Sequence, residues 1–457
     1  MLPVLLAAAS FTTTACTYAK LPARCGAVRL PENRQSRNGR TIAIHFVVIP
    51  AKRGRPKEPI FAIAGGPGQS AIGAFAGYFS GPSALARANI NHDIVLVDQR
   101  GTGSSNPLSC NIYPTDASTY AYLFPPDILR ACRMRLAKVD DLDAYGSDAA
   151  ADDLYDVRAR LGYGKIVLVG GSYGTTESLV YIRRHGDTVR AALLEGVAPP
   201  WLRLPLPFPR GAQRALDDLE ASCASDRLCS NYFPHFAEEF GAVLARSRNG
   251  GIPVAGGYRI SFEVFADRMR QTMYDEFGAS YLPYIIHQAA LGNTKPLAKL
   301  VATVSHGIPG SVAIGMNLSV TCAESLPFIT EDEAREQSQD TFMGPSRYLA
   351  QRGACDMWNV AAVPHSFLDP IRSNVPVLMI NGADDPATPP QFGAQELKYL
   401  PNGRQLLIPH AGHDFSSRCS NDIEAQFLDT YSVRNLQTNC LRAESRPPFA
   451  TSLKGLV

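Results

Sequence analysis

At 457 residues, with 45% hydrophobic and 19% charged residues, the chain carries enough apolar surface for a large buried core and does not have the composition of a disordered segment. Its formal net charge is only +2, with Lys and Arg scattered among acids in no run or basic helix, which excludes the electrostatic footprint of a nucleic-acid or anionic-membrane binder. Small or peptidic substrates fit that balance better.

Residues 2–11 are apolar and rich in small side chains, like the core of a secretory leader without its basic start, so residues 1–15 are expected to be a signal peptide. No other run is long enough to span a bilayer, and no stable membrane insertion is expected. The ten cysteines fall into local couples: Cys16 and Cys25, Cys110 and Cys132, Cys223 and Cys229, Cys322 and Cys355, Cys419 and Cys440. An even count without a C-x-x-C pair argues against a zinc knuckle or a thioredoxin-type site. It favours disulfides made in an oxidising compartment, with buried free thiols as the alternative. The protein is accordingly expected outside the cytoplasm, secreted or periplasmic. Lipidation at Cys16 is a further option, although Thr13-Thr14-Ala15 matches such a signal poorly.

Along the chain, residues 40–49 alternate, with Ile42, Ile44, Phe46 and Val48 on one side, the period-two pattern of a half-buried antiparallel strand. Three short continuous apolar runs follow at 60–64, 94–97 and 166–169, each closed by Gly or Asp, as suits parallel strands buried on both faces. Between the last two, Asp148 reads as an N-cap leading into Leu154, Val157 and Leu161 at helical spacing. Residues 191–194 read as another strand. Pro199, Pro200, Pro205, Pro207 and Pro209 then crowd a stretch that cannot propagate regular structure. From about residue 210 to 364 the pattern is helical, and parallel-strand runs return only at 375–380 and 405–408. The expected organisation is a core over 16–209 and 365–457, interrupted by a mainly helical cap insertion over 210–364.

The strand at 166–169 runs into Gly170-Gly171-Ser172-Tyr173-Gly174 and then a helix-compatible stretch. In this G-x-S-x-G context a strained strand-to-helix turn exposes the serine, and the flanking glycines avoid collisions with neighbouring chain. The turn also aims the next amide and the positive helix end at developing negative charge. Ser172 is the candidate nucleophile, against a merely structural turn.

Ala64-Gly65-Gly66-Pro67-Gly68-Gln69-Ser70, after the strand at 60–63, can supply the other oxyanion donor. Gly66 and Tyr173 are the expected donors, with Gly65 the substitute for Gly66. A phosphate-cradling loop is excluded because no Lys-Ser or Lys-Thr closes the motif. Gly101-Thr102-Gly103 lacks the third glycine of a dinucleotide fingerprint.

Late in the chain, the strand ending at 380 leads to Asp384-Asp385-Pro386, and the last strand leads to His410-Ala411-Gly412-His413-Asp414. The order Ser, Asp, His is that of α/β-hydrolases. His413 is preferred to His410 because a glycine precedes it on the loop. An H-x-x-H metal pair is the weak alternative, without carboxylates at known spacing.

Together, Gly65-Gly66-Pro67-Gly68, Asp98-Gln99-Arg100-Gly101-Thr102-Gly103, the Ser172 motif, Asp385-Pro386-Ala387-Thr388-Pro389 and Gly412-His413 resemble the prolyl aminopeptidase and tripeptidyl aminopeptidase family of serine peptidases. Arg24-Cys25-Gly26 and Pro31-Glu32-Asn33 are similar too. The resemblance implies an α/β-hydrolase fold, a mostly parallel central sheet flanked by helices and carrying a helical cap. It implies Asp385 as the triad acid with Asp384 as neighbour, and cap acids that hold the free amino terminus of a peptide substrate. Glu324, beside Cys322 in the insertion, is the first candidate for that role, against a solvated cap carboxylate. Ala64 departs from the histidine of many relatives, and Glu177 occupies a position more often apolar. Glu195 is a distant second candidate for the triad acid.

The expected chemistry is acyl transfer by Ser172, His413 and Asp385, releasing residues from peptide amino termini with no metal or organic cofactor. An ester hydrolase using the same triad is the rival enzyme. A non-catalytic binding protein on the same fold is the rival from another class.

Overall fold

The short apolar runs fold into the middle of one sheet, because a strand buried on both faces needs no polar side and gains from being apolar throughout. The computed structural model describes residues 11–36, 39–54, 56–307 and 311–454. Its nine-stranded sheet comprises β1 (Phe11–Tyr18), β2 (Leu21–Pro31), β3 (Thr41–Ile49), β4 (Ile60–Ile63), β5 (Ile94–Val97), β6 (Ile166–Gly171), β7 (Val189–Glu195), β8 (Val377–Gly382) and β9 (Gly403–Ile408). The spatial order is β1-β2-β3-β5-β4-β6-β7-β8-β9. Pairing is antiparallel from β1 to β5 and parallel from there on.

Side chains alternate between two layers. Val95 and Val97 join the core under α1 (Ser147–Arg160) and α2 (Tyr173–His185), with Leu154, Val157, Leu179 and Ile182. Ile94 and Leu96 point the other way, toward Ile423 and Phe427 on the late helix Arg418–Thr430. At about 25 cal/mol per Å² of apolar area removed from water, burial in these two layers stabilises the sheet.

The alternating strand at 41–49 is β3, preceded in the chain by β1 and β2. Residues 11–15, expected within a signal peptide, form part of β1, with Ala15 opposite Arg24; the remainder of that expected leader, residues 1–10, lies outside the described residues. The N-cap of α1 is Gly146 rather than Asp148, which sits in the first turn where its charge complements the helix dipole.

All five cysteine couples are bonded, Cys16–Cys25, Cys110–Cys132, Cys223–Cys229, Cys322–Cys355 and Cys419–Cys440, and no free cysteine remains among the described residues.

The cap is helical but is not one insertion. Helices α3 (Phe208–Ser225), α4 (Phe262–Thr272), α5 (Ile314–Glu324) and α6 (Ser346–Trp358) belong to it. The stretch between β5 and α1 belongs to it as well, because Leu108, Ile112, Leu129 and Leu136 share a core with Met316, Leu318 and Trp358. The chain end joins too: Phe449 is buried with Leu216, Phe265 and Leu282. Two stretches assigned to the core by sequence, one inside 16–209 and one inside 365–457, therefore pack as roof.

Candidate active site

Ser172 sits between β6 and α2 with φ 54° and ψ −123°, a left-handed conformation that a non-glycine residue holds only when its surroundings force it. The surroundings here are tight. A Cβ on Gly174 would lie 2.3 Å from the Ile63 carbonyl oxygen, and one on Gly170 would lie 2.4 Å from the Gly174 carbonyl oxygen. The Ser172 amide donates to the Glu195 carbonyl at 2.8 Å, which pins the turn to the end of β7.

Asp385 and His413 meet beyond β8 and β9. His413 Nδ1 lies 2.8 Å from Asp385 Oδ2. The amides of Ala387 and Thr388 donate to Asp385 Oδ1 at 2.7 and 2.8 Å, and the Thr388 hydroxyl donates to Oδ2 at 2.7 Å. Burial alone would raise the Asp385 carboxyl, but His413 and the Thr388 donors outweigh it and hold the group below the ordinary carboxylate range. Burial would likewise lower the His413 imidazole, and Asp385 outweighs it, so its value is raised. Tyr274, from the turn after α4, faces the imidazole with ring centres 4.9 Å apart, and its carbonyl accepts the Asp414 amide at 2.7 Å.

Ser172 and His413 line one cavity of about 540 Å³. Gly65 lines it as well, and a Cβ there would lie 3.0 Å from Ser172 Cβ. The neighbouring Gly66, at φ 111°, instead lines a second cavity under the cap. Tyr173 is the first residue of α2 and is buried; its hydroxyl meets Ser147 Oγ at 2.7 Å.

The glycine loop is held from both sides. Asp98 Oδ1 accepts the Ser70 hydroxyl and the Ile72 amide, while from α5 and the residues before it the Ala313 amide donates to Gly68 O and the Asn317 side chain to Pro67 O. Arg100, fully buried, makes a bidentate pair with Asp153 at 2.7 Å for each bond and donates to the Glu32 and Ala144 carbonyls. Within the Asp98–Gly103 motif, Asp98 thus holds the glycine loop, while Arg100 ties the motif to Glu32 after β2 and to Asp153 on α1.

Glu324 is not in the Ser172 cavity. It is buried, and both its oxygens are taken by Ser147, one by the amide and one by the hydroxyl, each at 2.6 Å. Burial pushes its carboxyl up to about 7. Its side chain points from α5 into the joint with α1 and, through Ser147, steadies Tyr173, so the amine-binding expectation for Glu324 is corrected. The carboxylates that do line the cavity are Glu195, Asp275, Glu276 and Asp414. Burial raises Asp414 and Glu276, and pushes Glu195 up to about 7 beside the buried Glu424.

In the sequence Glu195 stands out only as a substitute triad acid, and Asp275 and Glu276 carry no motif that marks them. Asp414 is signalled only by its adjacency to His413. Thr388 was also overlooked, although its place three residues after Asp385 is the spacing at which a threonine folds back onto a carboxylate. His410 is exposed, near Asp218 and Asp384, a trio able to hold a metal, but Arg446 already bridges those two carboxylates. Among the described residues no helix is long and apolar enough to cross a membrane.

Residues 58–237 match the family described as alpha/beta hydrolase fold, and residues 340–440 match the family described as TAP-like protein. Serine protease Hip1 of Mycobacterium tuberculosis is 25% identical over 423 residues, covering 82% of this chain and 79% of that protein. Proline iminopeptidase of Neisseria gonorrhoeae is 31% identical over 139 residues, 30% of this chain and 32% of that protein. The crystal structure of proline iminopeptidase from Mycobacterium smegmatis superposes with a TM-score of 0.40 at 14% identity, covering 89% of this chain and 98% of that one.

Proposed function

We propose that the chain, an α/β-hydrolase fold similar to serine peptidases, releases residues from the amino end of peptides through an acyl-enzyme on Ser172. The observation that carries this reading is the buried His413–Asp385 pair opening into the same cavity as Ser172. His413 Nδ1–H donates to Asp385, which leaves Nε2 free to take the Ser172 proton as Oγ attacks the carbonyl carbon. Asp385 steadies the imidazolium that forms. The amides of Tyr173 and of Gly66, with Gly65 as the alternative to Gly66, stabilise the tetrahedral oxyanion. His413 then protonates the leaving amine, and water repeats the sequence on the acyl enzyme.

The amino terminus of the substrate is assigned to the acidic wall. An ammonium among Glu195, Glu276 and Asp414 meets carboxylates that burial has made reluctant to ionise alone, so a cation there stabilises their charged forms. The five disulfides support an extracytoplasmic home.

The test compares three substrates: a peptide amide with a free amine, its N-acetylated twin and a simple aryl ester. Preference for the free amine is expected. Equal rates on the first two would remove the aminopeptidase claim, and activity on the ester alone would leave an esterase. Labelling by an organophosphonate that disappears in Ser172→Ala separates either enzyme from a non-catalytic binding protein.

A further inference from the structure

A second cavity, of about 110 Å³, lies under the cap and shares the glycine loop with the Ser172 cavity: Gly65 lines the first and Gly66 the second. Tyr274, the ring against His413, stands in its wall. The chemistry of the two spaces is opposite. Where the first is lined by carboxylates, the second gathers Arg268, Arg270 and Arg347 around one acid, Asp267.

Burying guanidinium groups is expensive unless each finds an anion, and here three compete for one carboxylate. Arg268 is fully engaged, with Asp267, Gln271, Ser305 and the Tyr113 hydroxyl. Arg270 donates to Asp267 Oδ1 and to the Tyr274 hydroxyl. Arg347 is left short. Its Nη1 donates to Gln351, while its buried Nε lies 3.5 Å from Asp267 Oδ1 without a hydrogen bond. Burial pulls the Arg347 guanidinium below its ordinary value, as expected for a cation lacking its full complement of anions. The next acid, Glu263, does not restore the balance: it accepts the Leu123 amide, and burial raises its own carboxyl.

We propose that the cavity bounded by Arg270, Arg347 and Gly66 is a subsite for a peptide carboxylate, either a free carboxyl terminus or an acidic side chain. A planar carboxylate matches the guanidinium fork, and binding there supplies the anion the cluster lacks. Resting on the peptidase reading above, this makes the preferred substrate a short dipolar peptide, its ammonium among the acids on one side of Ser172 and its carboxylate among the arginines on the other.

Binding to the full-length Ser172→Ala protein tests the subsite apart from catalysis. The probes, titrated calorimetrically, are tetra-alanine as the free acid, tetra-alanine amide, and the same amide with one alanine replaced by glutamate. The free acid or the glutamate amide is expected to bind at least about tenfold tighter than the plain amide, and whichever does so identifies the source of the carboxylate. Adding Arg347→Gln is expected to erase that preference, bringing free-acid and glutamate-amide affinities down to that of the plain amide. Should that double variant misfold and lose the amide as well, Arg347→Lys, which keeps charge without the fork, is expected to lower the preference. Equal affinity for all three probes, no binding of any, or a preference that survives both Arg347 substitutions overturns the proposal. A preference present in the binding assay while the unmutated protein hydrolyses none of the probes would instead sink the peptidase reading and leave the carboxylate subsite standing.

Discussion

At Ser172, the whole chemical proposal reduces to a hydroxyl whose proton has somewhere to go. Ser172→Ala and His413→Ala are each expected to lower turnover at least ~1000-fold, with circular dichroism unchanged. The pH profile should carry the signature of the Asp385 pair. Activity needs neutral His413, whose value is raised by Asp385, so the acid limb of kcat/KM is expected on the alkaline side of the ordinary imidazole value of 6.5. Thr388→Val removes a donor from Asp385 and leaves His413 as the sole side-chain donor to that carboxylate among the described residues. The limb should then move further alkaline, and an unchanged or acid-shifted limb would deny Thr388 its positioning role.

These roles were unevenly legible. Gly170 to Gly174, Asp385 and His413 could be read because chain order and flanking glycines encode them. Glu324 was misread because a neighbouring disulfide says nothing about where a helical side chain points, and a carboxylate satisfied by Ser147 looks in sequence like one awaiting a ligand.

Among the elements, α2 carries the clearest conflict between residue and place. Glu177 is fully buried, and among the described residues neither carboxylate oxygen has a hydrogen-bond partner. Burial, reinforced by Asp153 and Glu324, pushes it well above the usual carboxylate range. With the folded value raised, the native state keeps a proton that the unfolded chain gives up near 4.5, so this group erodes stability as pH rises above that value. Glu177→Leu is expected to stabilise the protein by about 1–3 kcal/mol in denaturant titrations at pH 8, with a smaller gain at pH 5. A loss at pH 8 would show that the carboxyl has a partner after all.

The sheet strands were readable because burial on both faces leaves an unbroken apolar run. The division of the cap was not, because the helix Pro126–Leu136 becomes roof only by packing on α5 and α6, a contact between segments far apart in the chain.

Across the whole molecule, the chain end works as a strap. Arg446 joins Asp218 on α3 to Asp384 beside the triad acid, and Phe449 fills the cap core. Phe449→Ala is expected to cost about 3 kcal/mol of unfolding free energy. Burial and Asp218 hold Asp384 up at about 7 even with Arg446 present. A raised folded value means stability falls as pH climbs through it, so Arg446→Ala should lower the melting temperature more at pH 8 than at pH 5. A uniform drop across pH would mean that Arg446 acts by packing alone.

The roof is thus stitched to the floor at several seams: Ala313 and Asn317 on the glycine loop, Tyr274 on Asp414, and Arg446 across the back. A vault stitched at these seams resists lifting, so whatever reaches Ser172 is expected to thread in through the opening they leave. Digestion should therefore discriminate by girth. A loose oligopeptide passes while the same stretch within a folded domain stays intact, and unfolding that domain makes its tip edible.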